Sequence, residues 1–396
     1  MTDNHTSEKK SRSTMSRAAT VIKWLWLAMT VAVAVTTVIS ANSGLINPEK
    51  MTWPSLLAMA FPFLVITDVL LGLVNLFISK RIAAVQWIAL LCSIPAIGNW
   101  FPVHPFSRHH EVSDDSEIVR FMSYNTFGFA DDENCYPDST NRTATAIIQS
   151  GADIICLQEV GMLVDMPVRC LTDAQIDSIN EVYPYFASEE EKMVSILSKY
   201  PLREISLEQP PSPHSGWQAA EVTVGSDTIL VVSVHLQSFG LNEEDKIVYH
   251  QITDGSVSGN MTDAGLIIYH KLTDAFKLRA AQADMLRHQL DSLGYRNVIL
   301  SGDFNDIAGC YPMRRLLGRT MKSVFRSIAT GPVITYHSDR FFFNIDHTLY
   351  QGDLTPIRYR RGDIKSSDHY PLYITFLIDR QRTTGSVHLQ GRDSIQ

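Results

Sequence analysis

The stretch NVILSGDFND, residues 297–306, decides the fold because it joins an apolar run to a dense cluster of polar side chains. Residues 298–300 have the composition of a buried strand, and Asp303, Asn305 and Asp306 follow closely. Carboxylates at the end of a buried strand are costly unless they have partners. The stretch therefore predicts a bound metal, a substrate or a catalytic role at this point of the chain.

The same pattern recurs through residues 117–380. Short apolar runs bounded by turn signals are typical of buried strands, and helical stretches such as 139–151 and 273–294 lie between them. This mixture predicts an α+β domain in which helices cover two sheets. The polar residues beside the other runs are Asn125, Glu159, His235, Asp346, Asp368 and His369.

Each of these residues alone has an ordinary structural explanation, since Asn125 would suit a turn and His235 a packed core. Their joint placement favours function, because side chains at several strand ends can converge on one rim of the sheets. Carboxylates and an amide suit a hard divalent cation such as Mg²⁺. Two histidines near carboxylates suit proton transfer or the stabilisation of developing charge.

Three long apolar segments precede this region, at residues 24–48, 51–79 and 82–107. Each exceeds the ~20 residues that cross a bilayer, and only Asp68 within them is charged. A cleaved signal peptide would explain the first segment alone, but two more directly behind it favour a membrane anchor. We expect Asp68 to face the interior of the helix bundle, because a carboxylate is costly in lipid.

Basic residues predict the orientation of this anchor. Five of them precede the first helix, and Lys80 and Arg81 separate the second helix from the third, whereas the loop after the first helix has only Lys50. The positive-inside rule places the N-terminus in the cytoplasm. Three crossings then place everything after about residue 107 on the extracytoplasmic side of a plasma or inner membrane.

Charge argues against a general nucleic-acid binder. The chain has 34 Lys and Arg and 42 Asp and Glu, of which residues 1–103 hold eight and four, so the remainder is acidic. Affinity for a duplex depends largely on cationic contacts to phosphates. None of the five cysteines forms a CxxC pair, so their spacing predicts no zinc site. Whether Cys135 and Cys170 pair outside the cytoplasm is left open by the sequence.

Six polar motifs follow one another through this region. They are MSYNTFG (122–128), LQEV (157–160), VHLQS (234–238), GDFND (302–306), IDH (345–347) and SSDHYPL (366–372). In this order they resemble the motifs of the endonuclease/exonuclease/phosphatase superfamily, which includes pancreatic-type DNases, abasic-site endonucleases, neutral sphingomyelinases and inositol polyphosphate 5-phosphatases. The resemblance spans residues 117–378 and implies a four-layered αββα sandwich that hydrolyses phosphate esters with a metal ion.

The resemblance implies a role for each motif residue. Glu159 would hold the catalytic Mg²⁺, with Asn125 and Asp368 nearby and Mn²⁺ as an alternative ion. The implied catalytic residues are Asp303 for the attacking water, Asn305 for positioning the phosphate, His369 for neutralising phosphoryl oxygens, Asp346 for orienting His369, and His235 as a second histidine at the phosphate. Arg279, on the helix before GDFND, would reach a substrate phosphate, although a surface ion pair is the ordinary alternative.

These features divide the chain into a cytoplasmic N-terminal tail (1–20), a three-helix transmembrane anchor (21–107), a linker (108–117), a catalytic domain (118–380) and a disordered C-terminal tail (381–396). The leading prediction is a membrane-tethered hydrolase of phosphate esters, acting on a lipid or envelope-associated substrate. The alternative is an extracytoplasmic endonuclease or exonuclease, with DNA or RNA as substrate only. A binding module without catalysis is disfavoured, because every motif residue is present.

Overall fold

The protein is described here from a computed structural model that covers residues 3–104, 116–130, 141–160, 171–240, 261–338 and 343–378, together with Asp245 and Ile247. Cys135, Cys170, most of the linker and the C-terminal tail lie outside these ranges, so the predictions made for them stay predictions. The helices are α1 (Asp3–Ala41), α2 (Trp53–Ile78), α3 (Lys80–Trp100), α4 (Arg142–Gln149), α5 (Asp173–Val182), α6 (Met261–Leu293), α7 (Tyr311–Leu317) and α8 (Val324–Ile328).

The first three helices are long and apolar enough to cross a membrane, over Ala19–Ala41, Trp53–Ile78 and Lys80–Trp100. This confirms the number of predicted apolar helices, although α1 begins at Asp3, before the predicted anchor, and α3 ends at Trp100. Asp68 is fully buried, so its carboxylate faces the interior of the bundle as expected.

Among the described residues after α3, the strands form two six-stranded sheets. The first contains, in spatial order, β11 (Leu354–Arg361), β12 (Leu372–Ile378), β1 (Glu117–Asn125), β2 (Ile154–Gln158), β4 (Val194–Ser198) and β3 (Tyr185–Glu189). The second contains β5 (Leu202–Ile205), β6 (Gly216–Val224), β7 (Asp227–His235), β8 (Val298–Asp303), β10 (Asp346–Gln351) and β9 (Lys322–Ser323).

The sheets pack face to face, and helices cover their outer faces. In β8, Ile299 points into the core between the sheets, whereas Val298 and Leu300 point to the core beneath α6 and α7. This alternation is the two-residue period of a strand buried on both faces. A third core packs α4 and α5 on the other sheet, through Ile147 and Ile179. The order helix, sheet, sheet, helix confirms the predicted αββα sandwich.

Strand direction brings the polar motifs to one end of this sandwich. In the first sheet β1 and β2 run parallel, so both end at the same edge, and in the second sheet β7 and β8 do the same. The antiparallel strands β10 and β12 begin at that edge. Asp346 therefore lies opposite Asp303, which lies opposite His235.

The anchor packs directly against the loop that follows β8. Ala58 of α2 shares a buried apolar cluster with Ile307 and Cys310. A Cβ added to Gly44, in the connection between α1 and α2, would lie 2.6 Å from the Gly309 carbonyl oxygen, so only glycine allows this close approach. Beyond α3, the Gly331 amide donates to the Pro102 carbonyl at 2.9 Å.

Candidate active site

Asp303 lies at the centre of the polar cluster at the end of the sheets. Its side chain is 1% exposed, and its Oδ2 accepts a hydrogen bond from Asn125 Nδ2 at 3.0 Å. The same oxygen lies 3.8 Å from His235 Nε2 and 3.6 Å from His369 Nε2. The ends of β1, β7 and β8 and the start of β12 therefore meet at one carboxylate oxygen.

Glu159 closes the cluster on the side of the first sheet. It follows β2 in a left-handed conformation with φ of 53°, which turns the chain at the strand end. Its Oε1 accepts from Asn125 Nδ2 at 3.0 Å and lies 3.6 Å from His235 Nε2. Because 28% of this side chain is exposed, whereas Asp303 is buried, Glu159 marks the solvent side of the site.

His369 and Asp346 form a buried pair. His369 Nδ1 lies 2.8 Å from Asp346 Oδ2, and both side chains are 4% exposed. The Thr335 hydroxyl accepts from the Asp346 amide at 3.1 Å, and the ring of Tyr336 lies 4.9 Å from the imidazole. These contacts fix the ring so that Nε2 faces Asp303.

Burial and neighbouring charges work against each other at these groups. Burial opposes charge on His369, but the Asp346 and Asp303 carboxylates together hold its pKa well above the ordinary value. Burial raises the pKa of Asp303, against the opposing effect of His369. The pair at the centre is thus a cationic imidazole beside a carboxylate with an increased affinity for protons.

The GDFND turn holds Asp303 in place through its backbone. Asn305 has φ of 49°, and its amide donates to Asp303 Oδ1 at 2.7 Å. Its side chain donates to the Leu236 carbonyl at 2.9 Å, which joins the ends of β7 and β8. Gly302 has φ of 149°, and a Cβ there would lie 2.0 Å from the Val234 carbonyl oxygen. The glycine of the motif is therefore required by the adjacent strand.

The donor atoms fit a hard divalent cation. Within the part of the chain that the structure describes, two groups of three side chains present candidate ligand atoms within 4.8 Å of one another. They are Glu159 with His235 and Asp303, and Asp303 with Asp346 and His369. Asp368 is 23% exposed beside them. Burial raises the pKa of Asp368, and the negative charges of Glu159 and Asp346 raise it further. A divalent cation would neutralise this accumulation of carboxylates.

Arg279 is not the surface ion pair that was one of the two alternatives considered for it. It is 0% exposed, and its Nε donates to Asp306 Oδ2 at 3.2 Å. The guanidinium also lies 4.4 Å from the ring of Phe239 and donates to the Gln237 carbonyl at 2.8 Å. An exposed ion pair is excluded by this burial. Contact with a substrate phosphate stays a prediction, and the contacts that the structure shows brace the loop after β8.

Two supporting residues were not predicted from the sequence. Ser367 donates through its hydroxyl to the Asn125 carbonyl at 2.8 Å and accepts from the His369 amide at 3.1 Å. Its position inside SSDH was a usable signal, because a hydroxyl two residues before an amide favours a local turn. Thr335 lies eleven residues before Asp346, in a segment with no local pattern that would have identified it.

Comparison with protein families defines the class of this domain. The model described as the Endonuclease/Exonuclease/phosphatase family matches residues 122–369, which is more than half of the chain. The chain therefore belongs to that family, and its domain is a phosphate-ester hydrolase of this class. A second model, described as a domain of unknown function, matches residues 22–100, which cover the three apolar helices. The search of curated proteins found no match.

Solved structures similar to the chain come from several organisms. Truncated TDP2 from Caenorhabditis elegans has 17% identity and a TM-score of 0.45, with 65% of this chain and 97% of that chain covered. An endonuclease/exonuclease/phosphatase from Beutenbergia cavernae has 16% identity and a TM-score of 0.45, with 66% of this chain and 72% of that chain covered. Sphingomyelinase C from Streptomyces griseocarneus has 15% identity and 0.39, covering 65% and 99%.

Proposed function

We propose that this protein is a membrane-tethered, Mg²⁺-dependent hydrolase that cleaves a phosphate ester at the extracytoplasmic surface of a membrane. The observation that carries the proposal is the convergence of four strand ends on Asp303 Oδ2, which lies 3.0 Å from Asn125 Nδ2, 3.6 Å from His369 Nε2 and 3.8 Å from His235 Nε2. A second carboxylate, that of Asp346, holds His369 from the other side at 2.8 Å. Such a site supplies both charge neutralisation and a base, which hydrolysis of a phosphate ester requires.

Glu159 and Asp368 would hold the cation, because they lie on the partly exposed side of the cluster. Asn125, which is buried beside Glu159 and donates to it at 3.0 Å, would contribute from below. When bound, Mg²⁺ neutralises phosphoryl charge and increases the acidity of a water molecule, and Mn²⁺ supplies the same chemistry. The remaining acidic side chains, Asp303 and Asp346, are more deeply buried and are left for proton transfer and orientation.

The buried residues would act on the water and on the phosphoryl group. Asp303 accepts the proton of the attacking water, since both of its neighbours Asn125 and Asn305 hold the carboxylate in one orientation. His369 neutralises the phosphoryl oxygens through Nε2, while Asp346 holds Nδ1. His235 is the second histidine at the phosphate, and Asn305 positions the phosphoryl oxygens.

Membrane tethering narrows the class of substrate. Three helices long enough to cross a membrane precede the domain, and the positive-inside rule places the domain outside the cytoplasm. A site held beside a bilayer favours a lipid or another ester of the envelope. The acidic composition of residues 104–396 disfavours nucleic acid.

The test uses the full chain in nanodiscs, with Mg²⁺ or Mn²⁺ and with EDTA as the control. Sphingomyelin, phosphoinositides and plasmid DNA are offered separately, and Asp303→Ala reports any contaminating activity. We expect release of phosphate or phosphorylated headgroup from a lipid only with the metal ion and only with Asp303. Nicking of DNA without hydrolysis of the lipids would favour the alternative substrate, nucleic acid. Turnover in the presence of EDTA would contradict the metal requirement.

A further inference from the structure

A cavity of about 250 Å³ lies between the anchor and the catalytic domain. One wall is formed by Met59 and Phe63 of α2, with Trp100 at the end of α3. The opposite wall is formed by Val333 and Phe343 of the segment that leads to β10. Among the described residues no Lys, Arg, Asp or Glu lines the cavity, and the amide side chains of Asn99 and Asn344 are its polar part. This largely apolar lining suits a hydrocarbon chain.

The anchor wall belongs to helices that are long and apolar enough to cross a membrane. Met59 and Phe63 are six and ten residues inside the start of α2 at Trp53, and Trp100 is the last residue of α3. The cavity therefore lies at the end of the apolar span that adjoins the catalytic domain. Phe63 is 69% exposed, so the cavity borders the surface that contacts lipid.

The domain wall leads directly to the catalytic residues. Ile334, which also lines the cavity, precedes Thr335, and Thr335 accepts from the Asp346 amide. The Phe343 carbonyl accepts from the amides of Thr335 and Tyr336 at 2.9 and 3.0 Å, so the wall is one hydrogen-bonded unit. Phe343 is three residues before Asp346, a separation of at most about 11 Å along the chain. The cavity wall is thus within about 11 Å of Asp346, the residue that orients His369.

We infer that this cavity receives an acyl chain of the substrate, which is a lipid phosphate ester drawn from the outer half of the bilayer. The volume accommodates about eight methylene-sized groups at about 30 Å³ each, the volume of a water molecule in the liquid. The inference rests on the proposed function, because it assigns a substrate class to the same site. The apolar lining and the exposed membrane face of Phe63 support a lipid tail over a peptide or a nucleic acid.

The cavity acts by positioning and not by affinity for hydrocarbon. A tail already lies in an apolar medium in the bilayer, so its transfer into an apolar cavity changes little hydrophobic free energy. What the cavity provides is a fixed position for the tail, which holds the phosphate near Asp303. Substrates without a tail gain nothing from it.

The test fills the cavity from both walls in the full chain in nanodiscs. Met59→Trp and Val333→Trp add bulk from opposite sides, and Leu70→Trp adds the same bulk at a lipid-facing position of α2 that is 58% exposed. Each variant is assayed on long-chain lipid phosphate esters and on a small water-soluble phosphodiester. We expect both filled variants to lose at least tenfold in kcat/KM on the lipid and less than twofold on the soluble ester, with Leu70→Trp unchanged on both.

Wild-type activity of Met59→Trp and Val333→Trp on the lipid would overturn the inference. The same would follow if these variants lost equal activity on the lipid and on the soluble ester. A second readout does not depend on activity. Nanodiscs of phosphatidylcholine and phosphatidylglycerol that carry a photoreactive group on an acyl chain should label the segment 331–345 in the wild type and not in Val333→Trp. Labelling of α2 alone would overturn the inference. If the protein is labelled in this segment but hydrolyses no phosphate ester, the proposed function is refuted and the lipid-binding cavity is retained.

Discussion

A single oxygen atom organises this site. Asp303 Oδ2 accepts from Asn125 and lies within 4 Å of two imidazoles, although its side chain is 1% exposed. A buried carboxylate with this many partners is not explained by packing, since an apolar residue would fill the same space without desolvation cost. A role in catalysis would explain the buried carboxylate of Asp303, and its removal should then affect turnover more than folding.

We predict that Asp303→Asn lowers kcat by about 10²- to 10⁴-fold, the contribution of a general base. The amide keeps the size of the side chain but cannot accept the proton of a water molecule. Steady-state kinetics in nanodiscs measures the loss, and the melting temperature tests the fold. Asp353→Asn is the matched control, because Asp353 pairs with the half-exposed Arg296 beyond the end of β10 opposite to Asp346. Comparable activity of both variants would contradict the assignment.

His347 provides a prediction for acid stability. It is 2% exposed, and its Nε2 lies 2.9 Å from the Asp306 carbonyl oxygen. Burial lowers the pKa of His347 below the ordinary value of 6.5. Below about pH 6.5 the unfolded chain therefore binds a proton that the folded chain excludes, and stability falls with decreasing pH by at most about 1.4 kcal/mol per unit.

The measurement compares melting temperatures between pH 7.5 and pH 5 for the wild type and His347→Gln. We expect a shallower dependence in the variant, which lacks the titrating group. His288→Gln removes an exposed histidine of α6 and should leave the slope of the wild type unchanged. An identical dependence of melting temperature on pH in all three proteins would show that His347 does not cause the loss of stability at acid pH.

At the scale of elements, the strand ends position the site and one helix supports them from behind. Arg279 of α6 is fully buried against Asp306, the last residue of GDFND. Removing one partner of a buried ion pair leaves an uncompensated charge, which costs about 3–5 kcal/mol. We predict that Arg279→Leu lowers the free energy of unfolding by about this amount.

The double variant Arg279→Leu with Asp306→Asn distinguishes this from a role in substrate binding. If the pair is structural, the second change should recover part of the stability and of kcat, since neither charge is then left alone. Unfolding monitored in detergent gives the stability, and steady-state kinetics gives kcat. A stable Arg279→Leu variant with a raised KM would instead favour contact between Arg279 and the substrate phosphate.

Gly302 tests the contact between β7 and β8. Its φ of 149° and the 2.0 Å approach to the Val234 carbonyl leave no room for a Cβ. We predict that Gly302→Ala lowers the free energy of unfolding by at least about 2 kcal/mol, from backbone strain together with displacement of the neighbouring strand. Gly265→Ala, in α6 with nothing within 4 Å, should be neutral or slightly stabilising. Equal melting temperatures of the two variants would contradict the packing.

The elements also show what sequence can and cannot predict. Polar residues after apolar runs identified Asn125, Glu159, His235 and Asp303, because parallel strands must end at the same edge of a sheet. Burial of Arg279 was missed, although it lies three residues after Phe276 and four before Ala283, on the buried face of α6. Thr335 could not be found, because its contact with Asp346 depends on the path of a segment without regular periodicity.

At the scale of the whole molecule, orientation across the membrane is the main prediction that the fold leaves to experiment. We predict that Ser292→Cys in the catalytic domain reacts with a membrane-impermeant maleimide added to intact cells, whereas Lys80→Cys between α2 and α3 reacts only after the membrane is opened. The expectation follows from the basic residues beside α1 and α3. Labelling is scored as a gain over the wild type, and the reverse pattern would place the domain in the cytoplasm.

The close approach of Gly44 to Gly309 has a consequence for how the enzyme searches for its substrate. The connection between α1 and α2 is pressed against the loop after β8, and Asn47 lies 3.4 Å from the Tyr311 hydroxyl. In a protein tethered as proposed, this contact holds the site at one height above the bilayer, so that the site moves within a plane parallel to the membrane as the protein diffuses. Esters at that height are encountered in two dimensions, and those carried further from the surface by long polar polymers stay out of reach however abundant they are.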